Sequence, residues 1–268
     1  MQGLDPSIFT RGKDSMSTFL DKPFWIWDNS IHKNEYVHSN GHCCFNHILS
    51  LPIKGGLQYP FFDFQSLIFN ILEQNQNVWI KKARGIGLTT FVLRYLAWKI
   101  LSSSEMDYKS IYIITGNDES LDEVASKFKN LFNKRFPLVK LESMFTDFWL
   151  KNTWIKILSR KNVLDIEICD AAYLFIDEAD YLGYSEQTAL EQKAFYFAEK
   201  GHCKTIMVST PNKRGGLFQK IENDSTSKYA KLKLDYRCGL GTIYDRMFIE
   251  KKKLEPEFER EYNLEYER

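Results

Sequence analysis

The chain has 268 residues, 44% of them hydrophobic and 26% charged, which excludes a disordered polymer and allows a sizeable buried core. Its 36 Lys and Arg nearly balance 35 Asp and Glu, so no global basic field marks a passive coat for nucleic acid. The five cysteines (43, 44, 169, 203 and 238) are odd in number and lack a C-x-x-C spacing, unlike a secreted disulfide framework, and point to a reducing cytosol.

In chain order, residues 1–57 read as an irregular extension, rich in aromatic residues, that packs on the main body of the chain. FWIWDNS (24–30) is a packing segment. His38, His42, Cys43, Cys44 and His47 are zinc-competent, but their crowding does not match a pair-plus-pair finger, so local packing is the expectation. Residues 58–236 alternate apolar runs with amphipathic ones. Five runs predict strands: Val78–Ile80, Ile111–Thr115, Leu174–Asp177, Thr205–Thr210 and Leu232–Tyr236. Phe64–Glu73, Thr89–Leu101, Leu121–Phe132 and Ser185–Lys200 predict helices. The second of these is apolar on most sides and is therefore buried beside a sheet. The alternation predicts an α/β fold with a central, mainly parallel sheet flanked by helices. Residues 237–268 are more polar and end in a charged helical pattern, EPEFEREYNLEYER.

Chemistry concentrates at four points. VWIKKARGIGLTTF (78–91) runs from a strand through a glycine-containing turn into a helix, the context in which backbone N–H groups and a helix N-terminus hold phosphates. Against G-x-x-x-x-G-K-[ST], Gly87 and Thr89 fit, with the Thr89 hydroxyl placed for Mg²⁺. Lys82 replaces the first glycine and Leu88 replaces the lysine that normally reaches the β- and γ-phosphates. Lys81, Lys82 and Arg84 are the nearby substitutes, and Arg84 is suited to act at the γ-phosphate. The alternative for the segment alone is an ordinary strand–turn–helix with glycines for tight packing.

AYLFIDEADYL (172–182) is an apolar strand ending in two carboxylates. Asp177 suits a Mg²⁺ ion, and Glu178 suits the orientation or deprotonation of an attacking water. TIMVSTPN (205–212) brings Ser209 and Thr210 to the same sheet edge, where hydroxyls can sense the γ-phosphate. Gln65, one helix before the first strand, offers the donor and acceptor of an amide to an adenine edge.

Gln65, KKARGIGLTT, LFIDEAD and VSTPN occur in an order and spacing that resemble large terminase subunits, the ATP-driven motors that package viral DNA. FNHILSLPIKGG before them, with LDYRCGLGTIYD and FEREYNLEY after them, look like terminase-like proteins of archaea and their viruses. The resemblance extends from about Phe24 to the end, with the altered phosphate loop its main departure. It implies a P-loop ATPase core over 58–236. ATP would be held by Gln65, Lys82, Ala83, Arg84, Gly85, Ile86, Gly87, Leu88, Thr89 and Thr90. Thr89 and Asp177 would hold Mg²⁺, Glu178 and Arg84 would be catalytic, and Ser209 and Thr210 would couple hydrolysis to movement. The implied partners are double-stranded DNA, a small terminase subunit, a portal ring and further copies of the chain in a ring, with a monomer in isolation. Residues 237–268 would lead as a linker toward a nuclease domain, and no nuclease activity is expected of this chain.

The N-terminus lacks the apolar core of a signal peptide, and Leu88–Leu101, broken by Arg94 and Lys99, is too short and charged to span a bilayer. The expectation is a soluble protein of the cytoplasm, the host's if the chain is viral, without a membrane partner. The rival readings are a helicase-like ATPase and a nucleotide-binding assembly module that has lost hydrolysis, which Leu88 favours and Glu178 disfavours. The runs Lys213–Arg214 and Lys251–Lys253 read as solvated surface charge, with contact to DNA phosphates as the alternative.

Overall fold

The computed structural model describes residues 53–54, 57–58, 62–102, 104–131, 141–163, 171–200, 203–212 and 214–267. FWIWDNS, the His38–His47 cluster and Lys213 lie outside the described residues. A short antiparallel pair, β1 (Ile53–Lys54) and β2 (Leu57–Gln58), precedes the main body.

The first helix, α1 (Asp63–Gln74), starts where Gln65 turns its side-chain oxygen back to accept the Phe62 N–H at 3.1 Å. That bond satisfies one of the donors a helix N-terminus leaves unpaired. The chain then alternates β3 (Asn77–Lys82), α2 (Leu88–Ser102), β4 (Ser110–Thr115) and α3 (Ser120–Asn130). A meander of β5 (Leu141–Met144), β6 (Asp147–Leu150) and β7 (Thr153–Ser159) comes next. After it stand β8 (Ala171–Asp177), α4 (Tyr184–Lys200), β9 (Lys204–Ser209), α5 (Leu217–Asn223) and β10 (Ala230–Leu234). Two short helices, α6 (Arg246–Lys252) and α7 (Phe258–Glu261), complete the described chain.

The eight main strands form one sheet in the order β10-β3-β9-β8-β4-β7-β6-β5. The six from β10 to β7 are parallel, and the last two pairings are antiparallel. All five expected strands and all four expected helices are present, with ends shifted by a few residues. Two expectations are corrected. The strands of the meander are additional to the five expected, although Phe148, Leu150, Ile155 and Ile157 alternate around a tight turn in which Lys151 takes a positive φ. The charged C-terminal pattern is helical only over α7, after which the chain runs on in irregular form.

Period-two alternation sorts the strand residues onto two cores. Val78, Ile80, Ile111, Ile113, Phe175 and Val208 face α1, α2 and the C-terminal segment in one cluster. Trp79, Tyr112, Ile114, Leu174, Ile176 and Met207 meet Leu190 of α4 and Phe218 of α5 on the other face. The second core hinges on Trp79, which is fully buried, sits 4.4 Å from the Phe218 ring and donates its indole N–H to the Phe218 carbonyl at 3.1 Å. Trp79→Ala removes that packing at a cost of about 3–5 kcal/mol. The same alternation separates the adjacent lysines. Lys81 leaves on the α5 face to pair with Glu222 at 2.7 Å, and Lys82 leaves on the α2 face.

Candidate active site

The site forms where β3, β9 and β8 end side by side. β3 stops at Lys82, and Ala83 continues its pairing by donating to the Leu234 carbonyl at 2.8 Å. The chain then turns at Gly85 (φ 78°) and Gly87 (φ 86°), a left-handed conformation that favours glycine, and enters α2 at Leu88. The first-turn N–H groups of α2 have no acceptor within the helix, which leaves them for an anion.

Leu88, at the position of the usual lysine, is 2% exposed and belongs to the core under the loop. The cation at the strand edge is Lys82. Its side chain is 7% exposed, and its ammonium forms an ion pair with Glu178 Oε1 and donates to Thr210 Oγ1 at 3.0 Å. The sheet order explains this grouping. β9 lies between β3 and β8, so Ser209 and Thr210 stand between the lysine and the carboxylates. Glu178 Oε2 accepts the Thr210 N–H at 3.1 Å and lies 3.3 Å from the Ser209 hydroxyl, whose single proton is shared with the Thr210 carbonyl at 2.7 Å.

Glu178 itself is held at φ 54°, unusual for a residue with a side chain. Gly116, at the end of β4, presses on this turn. Its N–H donates to the Asp177 carbonyl at 2.8 Å, and a Cβ on it would lie 2.0 Å from the Glu178 carbonyl oxygen. Gly116 is not among the expected site residues, because nothing in the sequence places β4 beside β8.

Asp177 is buried at the end of β8, where the Thr89 hydroxyl lies 2.9 Å from both of its carboxylate oxygens. Burial, with the neighbouring Glu178 charge second, pushes its pKa up to about 6, against the pull of Lys82 and the Thr89 hydrogen bond. Two adjacent ligands of an octahedral Mg²⁺, each at the usual metal–oxygen distance, are separated by about 2.9 Å. The two hard oxygens therefore fit that ion, although no cluster of three or more His, Cys, Asp or Glu is present among the described residues.

Arg84 lies on the outer side of the turn, 66% exposed, with its guanidinium on Glu261 of α7 at 2.5 Å. Its backbone N–H donates to the Glu261 carbonyl at 2.8 Å, and its own carbonyl accepts the Tyr244 hydroxyl at 2.7 Å. The C-terminal segment thus clasps the glycine turn. Ala83 and Ile86 are buried in the turn, Thr90 follows Thr89 in the first turn of α2, and Gln65 caps α1. Asp180, also absent from the expected set, is buried beside Glu178 and accepts the Asn212 N–H at 2.6 Å, and burial raises its pKa to about 6. Of the basic runs, Lys252 and Lys253 pair with Glu255 and Glu250 as surface ion pairs.

No family model matches the sequence, and no curated protein matches it. Solved structures do. The large terminase ATPase domain of Thermus phage P74-26 superposes with a TM-score of 0.55 at 15% identity, over 83% of this chain and 97% of that one. The fold is that of a phage large terminase ATPase domain. The HK97 bacteriophage large terminase matches at a TM-score of 0.63 and 14% identity, over 82% of this chain and 54% of its own. The large terminase of a thermophilic bacteriophage, solved in complex with ADP, matches at 0.59 and 11%, over 77% and 53%. This chain spans about half the length of those two terminases and nearly all of the P74-26 terminase ATPase domain. Among the described residues, no helix is long and apolar enough to cross a membrane.

Proposed function

We propose that this chain is the ATP-hydrolysing motor domain of a terminase-like large subunit that translocates double-stranded DNA during viral genome packaging. The observation that carries the reading is the convergence of Lys82, Thr89, Asp177, Glu178 and Thr210 around one phosphate-type loop. In this reading the first-turn N–H groups of α2 receive the phosphate chain. Thr89 and Asp177 would hold Mg²⁺, which would supply charge neutralisation to the phosphate chain. Lys82 replaces the missing lysine, extending from the strand end instead of from the helix.

Glu178 acts on water. One of its oxygens is held by Thr210 and Ser209, and the other faces Lys82. When Lys82 turns to the γ-phosphate, that second oxygen is released to orient and accept a proton from the attacking water. Thr210 bonds both groups, so the exchange is felt at the end of β9, which suits Ser209 and Thr210 to a coupling role. Arg84 reaches the γ-phosphate by leaving Glu261, and the Gln65 amide nitrogen is the group that donates to an adenine nitrogen. The partners proposed are double-stranded DNA, a small terminase subunit, a portal ring and further copies of the chain in a ring.

The test is phosphate release from Mg-ATP over a protein concentration series, with and without double-stranded DNA, alongside Glu178→Gln. Turnover lost in Glu178→Gln and raised by DNA supports the motor. Tight binding with equal, negligible turnover in both proteins would instead establish the assembly-module reading. Turnover accompanied by strand separation would favour the helicase-like one.

A further inference from the structure

One side chain far along the sequence joins the three loops of the site without itself lining it. Arg260, in α7, is 16% exposed. Its Nη1 donates to the Tyr181 hydroxyl at 2.5 Å and its Nη2 to Glu261 Oε1 at 3.2 Å, while its Nε lies 3.0 Å from the Glu267 carboxylate.

Each contact leads to a different loop. Tyr181 closes the single turn after Glu178, and its N–H donates to the Glu178 carbonyl at 3.0 Å. The Glu261 carbonyl accepts the Arg84 N–H, and so holds the phosphate loop whether or not the Arg84 side chain stays paired with the Glu261 carboxylate. The Glu267 N–H donates to the Asn212 carbonyl at 3.0 Å, two residues beyond Thr210. A planar guanidinium can direct hydrogen bonds to Tyr181 and Glu261 at once while its charge pairs with Glu267, to which Nε makes no hydrogen bond, and a lysine ammonium on a flexible stem cannot hold that arrangement. Glu178 needs such support, because its left-handed backbone persists only if its surroundings over-determine it. Gly116 presses on the turn from β4, and Arg260 ties it to the C-terminal segment.

We propose that Arg260 is a positioning residue, which locks the Glu178 turn, the phosphate loop and the Ser-Thr-Pro-Asn strand end in one register. The proposal rests on the ATPase reading above. It assigns α7 and the residues after it to the working geometry of the site. Removing Arg260 deletes none of the groups assigned to the nucleotide, and the glycine turn keeps its backbone bonds to Leu234 and Glu261, so the larger loss is expected in the chemical step.

The experiment compares Arg260→Ala, Arg260→Lys, Tyr181→Phe and the Arg260→Ala/Tyr181→Phe pair in kcat, KM, nucleotide affinity, melting temperature and hydrogen exchange at residues 178–182. Displacing a catalytic group by about 1 Å costs on the order of 10²-fold in rate. Arg260→Ala is therefore expected to lose about that much kcat with little change in nucleotide affinity, and Arg260→Lys does not rescue it. Tyr181→Phe removes one oxygen and lowers kcat in the same direction. The double variant is no slower than Arg260→Ala alone, because both substitutions break the same link. Exchange at 178–182 speeds up in both single variants.

Should Arg260→Ala fail to fold, Tyr181→Phe carries the test. Unchanged kcat and unchanged exchange in Tyr181→Phe overturn the proposal, as do losses that multiply in the double variant. A wild-type protein without Glu178-dependent turnover overturns the ATPase reading. Exchange at 178–182 still reports the lock in that case, so the two failures are distinguishable.

Discussion

Lys82→Met is the most informative substitution, because it separates the cation from the length of its side chain. Lys82 is 7% exposed and Glu178 is 27% exposed as side chains, so the ion pair is desolvated on one side and wetted on the other. Removing one partner of a fully buried pair costs about 3–5 kcal/mol. Here Glu178 keeps the Thr210 N–H and the Ser209 hydroxyl and retains some water, and methionine avoids burying an ammonium. The expected loss is therefore smaller, about 1–3 kcal/mol, or a fall in melting temperature of roughly 2–4 °C per kcal/mol. Catalysis suffers more. A missing donor to transition-state charge lowers kcat about 10²- to 10³-fold. The assay is phosphate release from Mg-ATP, with binding of a fluorescent ADP analogue and a thermal melt in parallel. A variant that melts a few degrees lower yet binds and turns over like wild type refutes the assignment of Lys82 as the replacement cation, and Arg84→Ala then becomes the next test.

Leu88→Lys recreates the usual loop lysine, but Leu88 packs in the core, so burying an unpaired charge there is expected to cost about 3–5 kcal/mol without raising turnover; a faster or more stable variant in the paired melt and phosphate-release assays contradicts the packing. Gly116→Ala sets a Cβ 2.0 Å from the Glu178 carbonyl oxygen, so the backbone must move. A loss of about 1–3 kcal/mol on denaturant unfolding is expected, with kcat reduced as well, and wild-type values for both would refute the close approach. Asp177 and Asp180 both have pKa values raised to about 6, chiefly by burial. Between about pH 4 and 6 the folded protein binds more protons at these sites than the unfolded chain, so they make stability fall as pH rises through that window. Asp180→Asn, whose side-chain oxygen can still accept from Asn212, is expected to flatten part of that slope and to gain about 1–2 kcal/mol above pH 7, measured by melts across pH.

The local elements are legible because strand and helix periods leave their own marks. The apolar runs before Lys82, Asp177 and Ser209 are strands, and Gly85 and Gly87 make the turn they suggest. Adjacent Lys81 and Lys82 separate to opposite faces, as a two-residue period requires. The meander escapes notice because β5 and β6 are only four residues each and the longer β7 alternates polar with apolar residues in place of a continuous apolar run. The C-terminal pattern misleads because a charged periodic stretch can be satisfied by packing on a sheet edge as well as by a long helix.

The sequence by itself determined the α/β class, the strand–turn–helix at 82–89 and the pair of carboxylates that closes β8. Each depends on residues close together in the chain. The tertiary structure decided which groups meet. Placing β9 between β3 and β8 puts Thr210 between Lys82 and Glu178, placing β4 beside β8 sets Gly116 against the Glu178 turn, and the packing of the C-terminal segment brings Arg260 and Glu261 to loops far back in the sequence. Strand order is set by the joint burial of both sheet faces, a property of the whole chain that no local pattern records.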